Sequence, residues 1–369
     1  MFQEWQAQQI QSLGVGGVRL QKYTRPCPRI FATASAPGFC WGRNDCPLVS
    51  AGPCTLSLRA LLLFVIIPDS PTIRPEIEAW LAAFQMRLCQ QLAAADGGPT
   101  AFLTDTWQRE GGGGGRSKVL ENGRILEKGG VGFSAVWGSM SEAAARQLHM
   151  PDPHFYATGV SVVLHPRSPH VPIIHMNVRY FEAGNGEAWF GGGIDLTPIY
   201  VDEAQARAFH AQLKAVCDHH NPAYYPKFTR WADDYFYLPH RQETRGVGGI
   251  FYDRLTIGKD GTADELFAFM RGVAELFGPF YTGLMAANDA LPYAEREAAW
   301  QSLRRARYAE FNLAFDRGTR FGLETGGRTE SILMSLPPRT GWAYNPAPPA
   351  PGTPEATTLG WLRKGVNWI

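Results

Sequence analysis

TGVSVVLHPRSPHVPIIHMNVRYFEAGNGEAWFGGGIDLTP, residues Thr158 to Pro198, reads as two strands joined by a turn that Pro166, Pro169 and Pro172 punctuate. Side chains alternate across a strand, so Ser161, Val163 and His165 point to one face and Val162 and Leu164 to the other. The second strand repeats this, with Ile173, His175, Asn177, Arg179 and Phe181 on one face and Ile174, Met176, Val178 and Tyr180 on the opposite one. Antiparallel pairing puts both polar sides on one surface, where a Ser, two His, an Asn and an Arg converge. Exposed strands favour Thr, Lys and Glu, whereas His beside Asn and Arg suits an anion and a proton transferred near neutral pH. A half-exposed sheet with stray histidines is the plainer reading of the same segment.

C-terminal to it, Gly191-Gly192-Gly193 predicts a bulge or a surface left bare for something flat. Asp202 to Asp218 reads as a helix with His210 beside its apolar stripe. Asn221 to Arg245 is aromatic at helical spacing and ends in His240-Arg241-Gln242-Glu243-Thr244-Arg245, before a strand at Ile250 to Asp253. Helices are expected over Ala263 to Tyr281 and Pro292 to Tyr308. Ala309 to Leu336 alternates again, Phe311, Leu313 and Phe315 against Asn312, Ala314 and Asp316, and predicts strands with Asp316 and Gly326-Gly327-Arg328 at their ends. Pro337 to Pro354 reads as a surface tail.

N-terminal to the segment, Ile73, Ile77, Trp80, Leu81, Phe84, Leu88 and Leu92 recur at helical spacing up to Asp96-Gly97-Gly98. Short runs follow at Ala101 to Gln108, Ser117 to Leu120, Arg124 to Lys128 and Val131 to Trp137, with a tight hairpin at Asn122-Gly123. Gly111 to Gly115 lack a following GK[ST], so a P-loop is not indicated; a flap carrying Arg116 and a plain linker remain. Residues 1–71 carry four of the six cysteines and no sustained periodicity. A disordered extension, a leader and a misassigned start all fit them. Hairpin-joined strands with helices in blocks predict an α+β fold, one domain over 72–369 whose large, mostly antiparallel sheet is flanked by helices.

Lys+Arg 35 against Asp+Glu 34 leaves +1, so no global field draws nucleic acid and any anion must be met locally. Leu61 to Ile67, the longest apolar run, is far short of the roughly 20 residues that span a bilayer. The cysteines form no CxxC and no zinc spacing, which reads as reduced thiols of a cytoplasmic protein. No GxGxxG stands in a βαβ setting, so no nucleotide cofactor is indicated. Four histidines, His165, His175, His210 and His240, are metal ligands by type, without HExxH or two-His-one-carboxylate spacing. The alternative is that His175 is a general acid or base. Arginines beside paired glycines, Arg116, Arg245 and Arg328, suit a flat polyanion, because the guanidinium fork matches carboxylates and glycine lets the backbone approach. From the residues alone the reach is an enzyme binding a planar, carboxylate-rich ligand.

GVSVVLHPRSPHVPIIHMNVRYF, WFGGGIDLTP, YYPKFTRWADDYFYLPHRQETRGVGGIFYD and EFNLAFDRGTRFGLETGGRTESILMSLPP together resemble the oxygen-dependent coproporphyrinogen III oxidases over residues 72–369. The resemblance implies oxidative decarboxylation of two propionates of coproporphyrinogen III to vinyls in haem biosynthesis, with O2 as co-substrate and no organic cofactor. It implies substrate contacts from Ser161, Asn177, Val178, Arg179, Gly326, Gly327 and Arg328. His175 would be the proton donor, and Asp316 would accept from pyrrole N–H groups with Arg317 nearby. Bacterial members are described with a divalent metal on histidines matching His165, His175, His210 and His240, while others work without one; His175 cannot be donor and ligand in one state. The resemblance also implies a homodimer with an interface about Tyr308 to Trp342.

Overall fold

The computed structural model describes residues 73–140, 145–146, 150–324 and 327–369. The chain divides into units 1–65 and 66–369, and the expectations for residues 1–71 lie outside the described residues. The described residues form the expected α+β fold. Seven antiparallel strands make one sheet in the order β1-β2-β3-β4-β5-β6-β9. They are β1 (Leu103–Gln108), β2 (Gly113–Glu121), β3 (Leu126–Ser139), β4 (His154–Pro166), β5 (Ile173–Ala183), β6 (Ala188–Thr197) and β9 (Gly249–Thr256); β7 (Tyr237–Leu238) and β8 (Glu243–Thr244) form a separate hairpin. The helices are α1 (Arg74–Asp96), α2 (Glu203–His220), α3 (Tyr224–Tyr235), α4 (Ala263–Asn288), α5 (Glu295–Ala314), α6 (Arg317–Glu324), α7 (Thr329–Leu333) and α8 (Pro354–Trp361). Among the described residues no helix is long and apolar enough to cross a membrane.

The opening stretch supplies the three strands β4, β5 and β6, and their register settles which residues share a face. Ser161 lies opposite Asn177, Val163 opposite His175 and Gly159 opposite Arg179. The alternate set, Val160, Val162, Leu164, Ile174, Met176 and Val178, is buried against α1, α2 and α4 through Leu81, Phe84, Phe209, Met270 and Phe277. Each such aliphatic or aromatic side chain contributes roughly 1.5–3 kcal/mol by leaving water, so a one-residue slip of β5 would put that set into solvent. The expected bulge appears where β6 meets β9, between Phe190 and Gly192. Asn122 takes φ 59° in the turn between β2 and β3, which Asn tolerates better than other non-glycine residues.

Several expectations need correction. Among the described residues of 309–336 no strand occurs; α5 runs on to Ala314, and α6 and α7 follow. Tyr308, Phe311, Asn312 and Phe315 recur at three- and four-residue spacing, and Tyr308, Phe311 and Asn312 are buried along one side of α5. Gly113 to Gly115 lie inside β2 and are no flap. Arg116 points to the helix side of the sheet, where its Nε donates to Gln85 Oε1 at 2.7 Å and its Nη2 to Ala82 O at 3.1 Å. Arg124 to Lys128 and Val131 to Trp137 are not separate strands, since the single strand β3 runs from Leu126 to Ser139.

Candidate active site

The sheet face turned away from α1, α2 and α4 carries small residues in its middle. Gly132 pairs with Ser161, Ser161 with Asn177, and Asn177 with Gly193. The segment from Gly327 to Leu336 closes over the β1–β4 side of this face. Ser331 Oγ lies 2.9 Å from Ser117 Oγ, Arg328 pairs with Asp105, and a Cβ on Gly130 would meet Met334 Sδ at 2.9 Å.

At the β5–β6–β9 side the face becomes charged. His175 lies directly opposite Asp195 in the β5–β6 register, and its Nδ1 is 2.8 Å from Asp195 Oδ1. Arg245, on the loop after β8, reaches Asp195 with Nη2 at 2.7 and 2.8 Å and with Nε at 3.2 Å. Both side chains are only 2% exposed, whereas that of His175 is 21% exposed. Burial alone would raise the Asp195 carboxyl, but Arg245 and then His175 hold it below its ordinary value. Asp195 is therefore an ionised acceptor, and the hydrogen on Nδ1 leaves Nε2 of His175 for a ligand.

Four residues along β5 from His175, Arg179 Nη1 donates to Asn177 Oδ1 and Nη2 to Asp253 Oδ1, both at 2.8 Å. Arg179 remains 34% exposed. A Cβ on Gly191 would meet Arg179 Nε at 2.9 Å, so glycine there is a condition for this arginine lying flat along the sheet. Tyr235 stacks on Phe251 at 4.1 Å and donates to Asp316 Oδ1 at 2.8 Å. Burial, ahead of Asp316, pushes the Tyr235 hydroxyl up, which keeps it a donor.

The structure thus gathers Ser161, His175, Asn177 and Arg179 on one face, with Asp316 joined to the same region through Tyr235. Asp316 is not at a strand end. It is the N-cap of α6, with Oδ2 accepting from Thr319 N at 2.7 Å, and Arg317 is the exposed first residue of that helix. Val178 is fully buried on the helix side of the sheet, so its side chain is core. Arg328 and Gly327 lie on the covering segment beside Asp105, while Gly326 lies outside the described residues.

The four histidines do not gather. His165 Nε2 is 2.9 Å from Ser335 O and its Nδ1 is buried without a partner. His210 lies between Tyr225 Oη at 3.0 Å and Val247 O at 2.9 Å, and His240 Nε2 contacts Glu310 Oε2 at 2.7 Å. Burial pushes His165 down to about 3 and His210 down to about 4. Among the described residues no group of three or more His, Cys, Asp or Glu could hold a metal ion, so these residues do not fit the implied metal.

Asp195, Tyr235 and Asp253 also belong to the candidate site and are not singled out by the sequence, while Arg245, expected to meet a ligand, instead meets Asp195. A usable signal existed for Asp195, a carboxylate at the end of the apolar-and-glycine run WFGGGID where a buried strand needs a partner for it. Two cavities lie elsewhere. One of about 230 Å3 is lined by His170, Tyr200, Gln205 and Asn288, and an open groove of about 790 Å3 runs between α5 and the 341–355 segment. Neither touches His175, whose face is covered in part by residues 327–336. Residues 76–368, most of the chain and all of this face, match the family model described as coproporphyrinogen III oxidase, and the chain belongs to that family.

Proposed function

We propose that this protein oxidatively decarboxylates two propionates of coproporphyrinogen III to vinyl groups with O2 as acceptor, giving protoporphyrinogen IX. The family supports a tetrapyrrole substrate and a place in haem biosynthesis. The observation that carries the reaction is the ion pair Asp195–Arg245 fixing His175 on the strand face it shares with Asn177, two residues along, and Arg179, four residues along. Each step breaks the bond from the side chain to its carboxylate, which leaves as CO2. A hydride equivalent leaves the carbon next to the pyrrole, a double bond forms, and O2 with that hydride and one proton becomes hydrogen peroxide. His175 supplies the proton through Nε2 while Asp195 holds Nδ1. Arg179 and Arg328 take propionates, exchanging Asp253 and Asp105 for substrate carboxylates. Ser161 and Asn177 line the floor, joined by the backbone of Val178, with Gly326, Gly327 and Arg328 as further substrate contacts. Asp316, whose Oδ1 accepts from Tyr235, also accepts from pyrrole N–H groups, with Arg317 beside it.

We place the enzyme in the cytoplasm as a homodimer needing no organic cofactor. The free thiols of Cys89 and Cys217 support a reducing compartment. For the dimer the support is the exposed apolar surface of Leu313 and Trp342, the latter 57% exposed; Tyr308 is buried within its own chain and takes no part. Incubation of the purified protein with coproporphyrinogen III in air, followed by separation of the oxidised porphyrins, tests the reading. Protoporphyrin is expected; unchanged coproporphyrin in air would leave a carrier or a different oxygenase in its place.

A further inference from the structure

The Arg245 guanidinium is buried in an aromatic box, 4.4 Å from the Phe236 ring and 4.6 Å from those of Tyr308 and Phe311. Its Nε and one face of Nη2 serve Asp195. The remaining nitrogen, Nη1, donates to Asn312 Oδ1 at 2.8 Å, and Asn312 is 4% exposed. The amide is itself oriented. Ser335 Oγ donates to Ile332 O at 3.0 Å, so toward Asn312 it accepts, and Nδ2 donates to it at 3.3 Å. The Asn312 nitrogen therefore faces Ser335 and its oxygen faces Arg245.

We propose that Asn312 is a positioning residue for the reaction: its amide oxygen fixes the plane of Arg245, and through it the Asp195 carboxylate that sets the orientation of the His175 ring. A guanidinium held at one edge only can rock in its plane; held by Asp195 at one edge and Asn312 at the other, it cannot rock without breaking a buried charge-assisted hydrogen bond. The side chain at 312 has to be neutral, because a carboxylate there would compete with Asp195 for the same cation. The inference rests on His175 acting as proton donor, as proposed above.

The test is the cycle Asn312→Leu, Asp195→Asn and both together, with kcat, KM and melting temperature for each. Nitrogen-15 histidine spectra add a readout that needs no turnover, the Nδ1–H signal identified by its loss in His175→Gln. Asn312→Leu is expected to lower kcat by about tenfold to a hundredfold with KM within about twofold, to lose that Nδ1–H signal, and to add less than about twofold to the defect of Asp195→Asn. Wild-type kcat, an unchanged Nδ1–H signal, or an equal loss in the Asp195→Asn background would each overturn it. If Asn312→Leu does not fold, Ser335→Ala replaces it, with a kcat loss of several-fold expected only where Asp195 is present and wild-type kcat overturning the proposal. Should the wild-type protein not convert coproporphyrinogen at all, the functional reading fails, and the Nδ1–H signal alone decides the role of Asn312.

Discussion

His175 is the residue on which the proposed chemistry depends, since its ring is tied to Asp195 at Nδ1 while its side chain stays partly exposed. His175→Ala is expected to lower kcat by roughly 10²–10⁴, the range for a positioned general acid, with an unchanged melting temperature; turnover within a few-fold of wild type would remove it from the mechanism. Arg328, whose partners are Asp105 and Ser331, should act on binding instead. Arg328→Ala is expected to raise KM by about tenfold with kcat within about threefold, because a propionate contact made equally in ground and transition states shows only in KM. His175, Asn177 and Arg179 were legible in the sequence because period-2 alternation alone places them on one face. Asp195 was not, although its partner was identified. Only the β5–β6 register, fixed by pairings such as Ile174 with Leu196, brings a carboxylate 20 positions away in the chain directly opposite the histidine. Arg245 was noted for its glycine neighbours and thus for the wrong reason. It faces a buried carboxylate of its own chain and not a ligand.

At the scale of elements, α5 is unusual in seating itself by ion pairs. Arg304 meets Glu243 and Arg305 meets Glu127 on other segments, while Arg307 meets Glu310 within the helix, and all three arginines are nearly buried. Glu310 also takes His240, Arg241 and Trp342, and burial, which would raise its carboxyl, is outweighed by these partners so that it is held down at about 2. These contacts anchor the 240–245 loop that delivers Arg245 to the site. A Glu127→Ala substitution leaves the buried Arg305 without its carboxylate and should cost about 3 kcal/mol or more of stability, read as a lower denaturant midpoint; an unchanged midpoint would show that Pro166 O, which Arg305 also reaches, satisfies it alone. The same helix shows why residues 309–336 misled. Alternation over Phe311 to Asp316 is too short to separate a strand from a helix, and the longer pattern Tyr308, Phe311, Asn312, Phe315 is the helical one. Aromatic residues with strand propensity were overridden by packing around Arg245.

For the whole molecule, two buried histidines contribute to the response to acid. His165 and His210 are buried neutral, with burial holding them well below the ordinary value near 6.5. The unfolded chain takes up protons at these positions where the folded chain does not, so their contribution is full above about pH 6.5 and falls as the pH drops toward 4. A loss on the order of 2 kcal/mol per pH unit is expected between pH 6 and 4, halved by His210→Gln; denaturant midpoints independent of pH in that window would contradict it. The family match begins at residue 76, so a chain starting at Ser70 should keep full activity, and a dead or insoluble product would show that preceding residues belong to the fold. The reaction itself is tested most directly by following O2 uptake and CO2 release together while the protein consumes coproporphyrinogen III. The account predicts one O2 taken up and one CO2 released for each propionate converted, with both stopping under nitrogen. CO2 release that continues at the same rate without oxygen, or oxygen uptake with no CO2, would contradict it.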